Sequence, residues 1–181
     1  MQHDYLSAAR IETERLVLLP ISLQWKEDIF REFNEEITHY LMGKPAKNVA
    51  ETEAFIASAI EDMEKGEELV FVITQREDNA FLGCCDIHRL QTTTPEMGIW
   101  LKKSAHGKGY GLEAMRALKQ WMDEHLEYEY ITYPVDRDNK ASRKLIEALG
   151  GTVQKEYEKE SLSGNILHAV EYWIPSSRSS S

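Results

Sequence analysis

A mixed α/β domain is predicted by three features of this 181-residue chain. Apolar β-rich runs alternate with segments of helical periodicity, one such run passes through a glycine-rich turn straight into an amphipathic helix, and the chain closes on a hairpin pattern. Its length suits one domain, burying roughly two-thirds of the unfolded surface. That domain is expected over residues 1–175, with the serine-rich stretch 176–181 read as a disordered tail.

The elements follow in order. Arg15-Leu-Val-Leu-Leu-Pro20 is a short apolar run stopped by proline, as a buried first strand would be. A helix is expected around Leu23 to Phe33, with Trp25, Ile29, Phe30 and Phe33 inward. Asn48 followed three residues later by Glu51 is a capping-box signal for a second helix, with Val49, Phe55, Ile56, Ala59, Ile60 and Met63 as its buried stripe. Leu69 to Thr74 and Phe81 to Ile87 are β-rich and separated by Arg76-Glu-Asp-Asn79, a hairpin pattern. Glu96 to Leu101 is the next strand. Beyond the glycine turn, Leu112, Met115, Leu118, Met122 and Leu126 line one face of a helix. Tyr130 to Val135 is a strand, and Ser142 to Leu149 a helix ended by Gly150-Gly151. Thr152 to Lys159 and Leu167 to Ile174 pair around Ser163-Gly-Asn165. The order β-α-α-β-β-β-α-β-α-β-β is that of a layered α/β domain.

The turn carries the chemistry. At a helix start the backbone N–H groups lack intrahelical partners and the macrodipole is positive, so Gly107, Gly109 and Gly111 would let a pyrophosphate approach bare backbone. Gly107-Lys108 is followed by Gly109 instead of a hydroxyl residue, which argues against a P-loop. The Gly-x-Gly-x-Gly spacing, late in the chain, also departs from the dinucleotide fingerprint.

His106-Gly-Lys-Gly109-Tyr-Gly111 resembles instead the acetyl-CoA motif of the GNAT N-acetyltransferases, Gln/Arg-x-x-Gly-x-Gly/Ala, with His106 in the Gln/Arg position. Asp136-Arg-Asp-Asn139-Lys-Ala-Ser142 through Gly151 is similar to the family's second motif, Asn-x-x-Ala/Ser before a short helix. Glu12-Thr-Glu-Arg15-Leu, Phe81 to His88 and Glu96-Met-Gly-Ile-Trp100 resemble the RimJ/RimL-like branch. The resemblance runs from about Ile11 to Trp173.

That resemblance implies a mostly antiparallel central sheet whose two middle strands, Glu96 to Leu101 and Tyr130 to Val135, splay around the acetyl-pantetheine arm of acetyl-CoA. It places the pantetheine amides against Ile99, Trp100 and Leu101, and the pyrophosphate against Gly107, Lys108, Gly109, Tyr110, Gly111 and Leu112. Trp100 and Tyr110 suit core packing as well as contact with the carrier. His106 either shapes the loop or lies free in solvent. The tyrosine that many members use to protonate the thiolate, seven residues after the motif asparagine, is Ile146 here, so the role passes to Ser142. Asn139 is a carrier-arm residue or a helix cap. Glu96 is the expected base, with Asp86, His88 and His168 as rivals, and a strand N–H of Met97, Gly98 or Ile99 would face the oxyanion.

An α-amine, titrating near 7.7–8.0, needs far less help from a base than a lysine amine near 10.4. The expected acceptor is therefore the N-terminal α-amine of a protein or peptide, as for the ribosomal-protein acetyltransferases of this branch. A small amine such as a polyamine or aminoglycoside, and a catalytically silent acyl-CoA-binding module, are the alternatives.

Composition narrows the classes further. With 21 Lys and Arg against 31 Asp and Glu, the net charge of −10 argues against nucleic acid and suits a cationic partner, or solubility alone. No leader pattern and no run of about 20 apolar residues occurs, so a soluble cytoplasmic protein without membrane contact is expected. Neither the histidines nor the adjacent Cys84 and Cys85 show metal-ligand spacing, and these cysteines are expected to be reduced. Val170, Tyr172 and Trp173 of the closing hairpin would supply an apolar edge for a homodimer, or pack in the core.

Overall fold

In the computed structural model, residues 3–180 are described. Eight strands form one sheet: β1 (Ile11–Glu12), β2 (Leu16–Pro20), β3 (Glu68–Gln75), β4 (Phe81–His88), β5 (Glu96–Leu101), β6 (Tyr130–Asp136), β7 (Thr152–Glu160) and β8 (Ile166–Pro175). Their spatial order is β1-β2-β3-β4-β5-β6-β8-β7. Every neighbouring pair is antiparallel except β5 and β6. The helices are α1 (Asp4–Ser7), α2 (Lys26–Glu32), α3 (Glu35–Thr38), α4 (Val49–Glu64), α5 (Tyr110–His125) and α6 (Lys140–Ala148).

Strand alternation divides the core. Leu69, Phe71 and Ile73 of β3 point to the face where Met115, Leu118 and Met122 of α5 pack, while Val70 and Val72 meet Ile29 of α2 and Ile56 of α4 on the other. The same alternation sends Cys85 to the first cluster and Cys84 to the second. Both thiols are free and buried, and burial pushes both pKa values up, so they stay neutral.

One irregularity positions the site. β5 and β6 meet at a single pair, Glu96 opposite Thr132, and beyond it β5 keeps only its β4 partner. Past Glu96, the β6-facing edge of β5 is therefore unpaired within the sheet, which is the implied splay.

Most local expectations hold in detail. Asn48 Oδ1 accepts from the Glu51 N–H at 3.0 Å, and Glu51 reaches back to the Lys47 N–H at 2.8 Å, one residue earlier than in the standard box. The short α1, β1 and α3 carry too few residues for a periodic signal. Phe55, expected inside, lies 53% exposed, because Thr52 and Ile56 occupy the inward stripe of α4. β8 is an interior strand between β6 and β7, so Val170 and Tyr172 pack in the core and Trp173 stacks on Tyr130, with ring centroids 3.9 Å apart. The proposed apolar edge is not there; the exposed edge strand is β7. Of the stretch read as a tail, Ser176 is buried, Ser177 Oγ donates to Asp123 at 2.7 Å within a short 3₁₀ turn, and Ser181 lies outside the described residues. No described helix is long and apolar enough to cross a membrane.

Candidate active site

The glycine turn sits where β5 ends. Gly107 (φ 74°) and Gly109 (φ 81°) are left-handed, a conformation that side chains penalise, and a Cβ on Gly107 would meet nothing within 4 Å, so its backbone faces open space. Gly109 caps α5 without a side-chain hydrogen bond, so no capping side chain covers the first-turn N–H groups, and Gly109, Gly111 and Leu112 border the adjoining cleft. Gly111 has a different reason to be glycine. It is buried inside α5, and a Cβ there would lie 2.9 Å from Leu145 Cδ1 of α6, so close helix packing also favours glycine at this position.

Two side chains shape this loop. His106 Nε2 lies 2.8 Å from the Leu101 carbonyl; since a carbonyl only accepts, that nitrogen carries the proton and the ring ties the loop to the end of β5. Arg15, arriving on β2's leading turn, donates to Glu113 at 2.7 Å and to the Lys108 carbonyl at 2.9 Å, while its guanidinium lies 4.5 Å over the Tyr110 ring. Burial works against the Glu113 charge, but hydrogen bonds from Thr13 and Arg15 outweigh it and hold the carboxyl below its usual range. Lys108 and Tyr110 thus belong to the scaffold behind the loop; neither lines the cleft.

The cleft, about 560 Å³, is lined by Ile99, Trp100 and Leu101 of β5, by His106, Gly107, Gly109, Gly111 and Leu112, and by Asn139 and Ser142 at the start of α6. The two sequence blocks, some thirty residues apart, therefore converge on one opening. Asn139 Oδ1 accepts from the Ser142 N–H at 3.4 Å, which makes it the α6 cap while it still borders the cleft. Ile146, in the position of the family tyrosine, is fully buried core.

A tyrosine nonetheless reaches Ser142 from another strand. Tyr133 of β6 is buried and lies beside Ser142; burial pushes its phenol up to about 12, with the charge of Asp86 adding to the shift and the Ser142 hydroxyl opposing it. The residue belongs to an ordinary alternating strand pattern, so nothing local marked it.

On the α2/α4 face of the sheet lies a second cavity of about 290 Å³, which shares Trp100 with the first. Asp86 of β4 borders it. A Cβ on Gly98, directly across on β5, would lie 2.7 Å from Asp86 Oδ1, so the missing side chain makes room for this carboxylate. Among the described residues no hydrogen-bond donor is aligned with the buried Oδ1; His88 Nε2, 3.2 Å away, meets its charge. His88 Nδ1 is 3.2 Å from Glu68. Burial disfavours the imidazolium, but hydrogen bonds to Asp86 and Glu68 and their charges prevail and push His88 up to about 11. Glu68, Asp86 and His88 bring one ligand atom each within 4.8 Å of one another, the spacing of an ion-pair triad and also of a metal site.

The remaining expected residues lie apart. Glu96 borders neither cavity and stands 3.4 Å from Arg89. His168 is 3.4 Å from Glu158 on the terminal hairpin. Met97 is buried in the α5-side core, whereas Ile99 lines the cleft.

A parallel strand pair that opens beyond one residue pair, with a glycine loop and a helix start at one end of the opening, defines a protein that binds a phosphate-bearing carrier along a strand edge. Residues 15–152 match the family model of the acetyltransferase (GNAT) domain. The chain belongs to the GNAT family and is an acetyl-CoA-dependent N-acetyltransferase. An uncharacterized N-acetyltransferase, p20, of Bacillus licheniformis is 26% identical over 155 residues, 81% of this chain and 86% of that protein. Among solved structures, RimL, a ribosomal α-N-protein acetyltransferase in complex with coenzyme A, superposes with a TM-score of 0.84 at 16% identity, covering 92% of this chain and 98% of RimL. A spermidine N-acetyltransferase from Vibrio cholerae, in complex with CoA and spermine, gives 0.81 at 18% identity, covering 93% and 100%. At these identities the structural likeness speaks for the fold alone.

Proposed function

We propose that this protein acetylates the N-terminal α-amine of a peptide or protein, with acetyl-CoA in the 560 Å³ cleft and the amine arriving from the second cavity. The observation that carries this reading is Trp100, which borders both cavities, with Ser142 on one side and Asp86 on the other. The backbone edge of Ile99 to Leu101 holds the pantetheine amides, and the N–H groups around Gly107 to Leu112 hold the pyrophosphate.

Asp86 draws the ammonium in and takes its proton, directly or through a water. The neutral nitrogen attacks the thioester carbon, and an N–H of the β5 edge at Ile99 receives the oxyanion. As the carbon–sulfur bond breaks, Ser142 donates its proton to the thiolate and recovers the second proton that the nitrogen sheds on becoming an amide, while Tyr133, which stays protonated at neutral pH, supports the Ser142 hydroxyl from behind. Glu96, two residues from Gly98 on the same face of β5, is the second carboxylate of this side and the alternative base.

The test is CoA release from acetyl-CoA with free-N-terminus peptides, a lysine peptide with a blocked N-terminus, polyamines and aminoglycosides. Turnover with the free N-terminus and its loss on blocking is the expected result. Turnover confined to polyamines or aminoglycosides would replace the acceptor, and acetyl-CoA binding without turnover of any amine would point to the silent binding module.

A further inference from the structure

We infer that the second cavity selects the acceptor by its first side chain, and that it takes an amine carrying a bulky apolar group, namely a peptide N-terminus beginning with a residue such as Phe or Leu. This deepens the proposed α-amine reading and rests on it.

Three observations converge on that class. The wall is aromatic and aliphatic: Phe30 and Phe33 come from α2 and its end, Pro45 from the following connection, Phe55 from α4, Trp100 from β5 and Leu162 from the tip of the β7–β8 hairpin. The charge is that of one cation's partner. Asp86, Glu51 and Lys44 are the charged lining residues, and with His88 and Glu68 behind Asp86 the group as a whole still carries one negative charge in excess. A polyamine would bring at least one ammonium more than that single excess charge balances into a largely apolar chamber, and an unbalanced charge there is costly. The third observation is exposure. Phe55 is 53% and Leu162 69% exposed at the mouth, large apolar surfaces that the fold itself leaves uncovered.

The chamber is also built in advance. The Leu162 N–H donates to the Met42 carbonyl at 2.9 Å, tying the hairpin tip to the connection between α3 and α4. At about 290 Å³ it stands at the small end of ligand pockets, which run to roughly 1,000 Å³. That is room for one side chain beside an amine, not for an extended chain. Asp86 would then hold the α-ammonium while the side chain lies among the rings.

The experiment compares peptides identical except for a first residue of Phe, Leu, Ser or Asp, with spermidine alongside, by kcat/KM for CoA release. We expect Phe and Leu to exceed Ser by about tenfold or more, as removal of apolar groups from a fitted pocket does. Phe55→Ala and Leu162→Ser, both at exposed positions that do not threaten folding, should shrink that advantage through the peptide KM while leaving the KM for acetyl-CoA unchanged. Equal rates for Phe and Ser peptides, or a preference for spermidine, would overturn the pocket assignment while acetyl transfer stands. No CoA release with any peptide or with spermidine would overturn the α-amine reading itself, and this inference with it.

Discussion

The donor cleft and the acceptor chamber touch the same tryptophan and are built on opposite plans. The donor side leans on backbone: a strand edge without a partner, two left-handed glycines and a helix start, supplied by the stretch 99–112, with side chains of α6 and of residues 36–41 closing the cleft. The acceptor side is made of side chains from seven segments spread between Ile29 and Leu162, with two carboxylates, Glu51 and Asp86, among them. Backbone recognition depends on conformation, which glycines and capping residues write locally. Side-chain recognition depends on which distant residues the topology brings together. The first tolerates almost any residue between its glycines; the second changes its ligand with each side chain.

The comparison breaks most visibly at the carboxylates. Asp86→Asn should lower kcat by about 10²-fold or more while acetyl-CoA binding is kept, the size expected for loss of a general base. Glu96→Gln should cost much less, because Glu96 pairs with Arg89 outside both cavities. Steady-state kinetics with one peptide decides it, and the reverse ranking would return the base to Glu96. Ser142→Ala and Tyr133→Phe belong to the same set: Ser142→Ala should lower kcat, and Tyr133→Phe should do so by a smaller factor, since it acts only through Ser142.

Next come the glycines, where the donor side separates phosphate contact from packing. Gly107→Val should raise the KM for acetyl-CoA about tenfold, through strain at φ 74° and a side chain in the phosphate approach, with little loss beyond the roughly 1–2 kcal/mol of a left-handed residue. Gly111→Val should instead destabilise by about 1–3 kcal/mol as its side chain presses on Leu145, with a matching fall in Tm. Kinetics beside calorimetry separates them; no rise in the acetyl-CoA KM for Gly107→Val would mean that Gly107 does not face the phosphates.

The same contrast explains what could be read from the amino-acid order. Gly107, Gly109, Asn139 and Ser142 were legible because helix starts and tight turns are local, and the strand alternation at 69–74 and 81–87 followed from period-two patterning. Gly111 was legible as a glycine but not in its packing reason, which lies in Leu145 more than thirty residues away. Tyr133 is not distinguishable from an ordinary strand residue, and Asp86 stands only as one rival base among three: what sets them apart is register, Asp86 opposite Gly98 and Tyr133 beside Ser142 of α6. Phe55 was placed in the core on helical spacing alone, and its exposure marks the chamber mouth. Glu96 was chosen for its position on the central strand, which spacing locates but whose surroundings it does not.

A smaller effect is expected at Arg15, whose work is to hold the donor loop from behind. Arg15→Met removes the Glu113 and Lys108 contacts and the stacking on Tyr110 together, and should raise the KM for acetyl-CoA about fivefold with kcat nearly unchanged. Arg15→Lys should recover only part of this, since an ammonium cannot bond Glu113 and the loop carbonyl while lying flat on a ring. A loss in kcat equal to the loss in affinity would show that the contact acts beyond the loop.

The smallest effect is a pH signature that belongs to the acceptor side alone. His88 is faced by Glu68 from β3, Asp86 from its own strand and Glu96 from β5, with Arg89 beside Glu96. Its folded pKa, pushed up to about 11 from an ordinary 6.5, means that folding favours the imidazolium. The stabilisation is therefore fully present below about pH 6.5 and is lost as pH rises toward 11. Because the ring is more than a third exposed, solvent screening reduces it, and a Tm advantage over His88→Gln on the order of 2–4 °C near pH 6.5 is expected, closing by about pH 11. Lysines and tyrosines titrate over the same range in both proteins, so the difference between the two Tm curves is the readout. A gap that does not change with pH would mean that His88 contributes packing and not charge. The affinity for acetyl-CoA should follow the same pH curve in both proteins, because the triad lies on the acceptor side and the phosphate cradle is made of backbone that does not titrate.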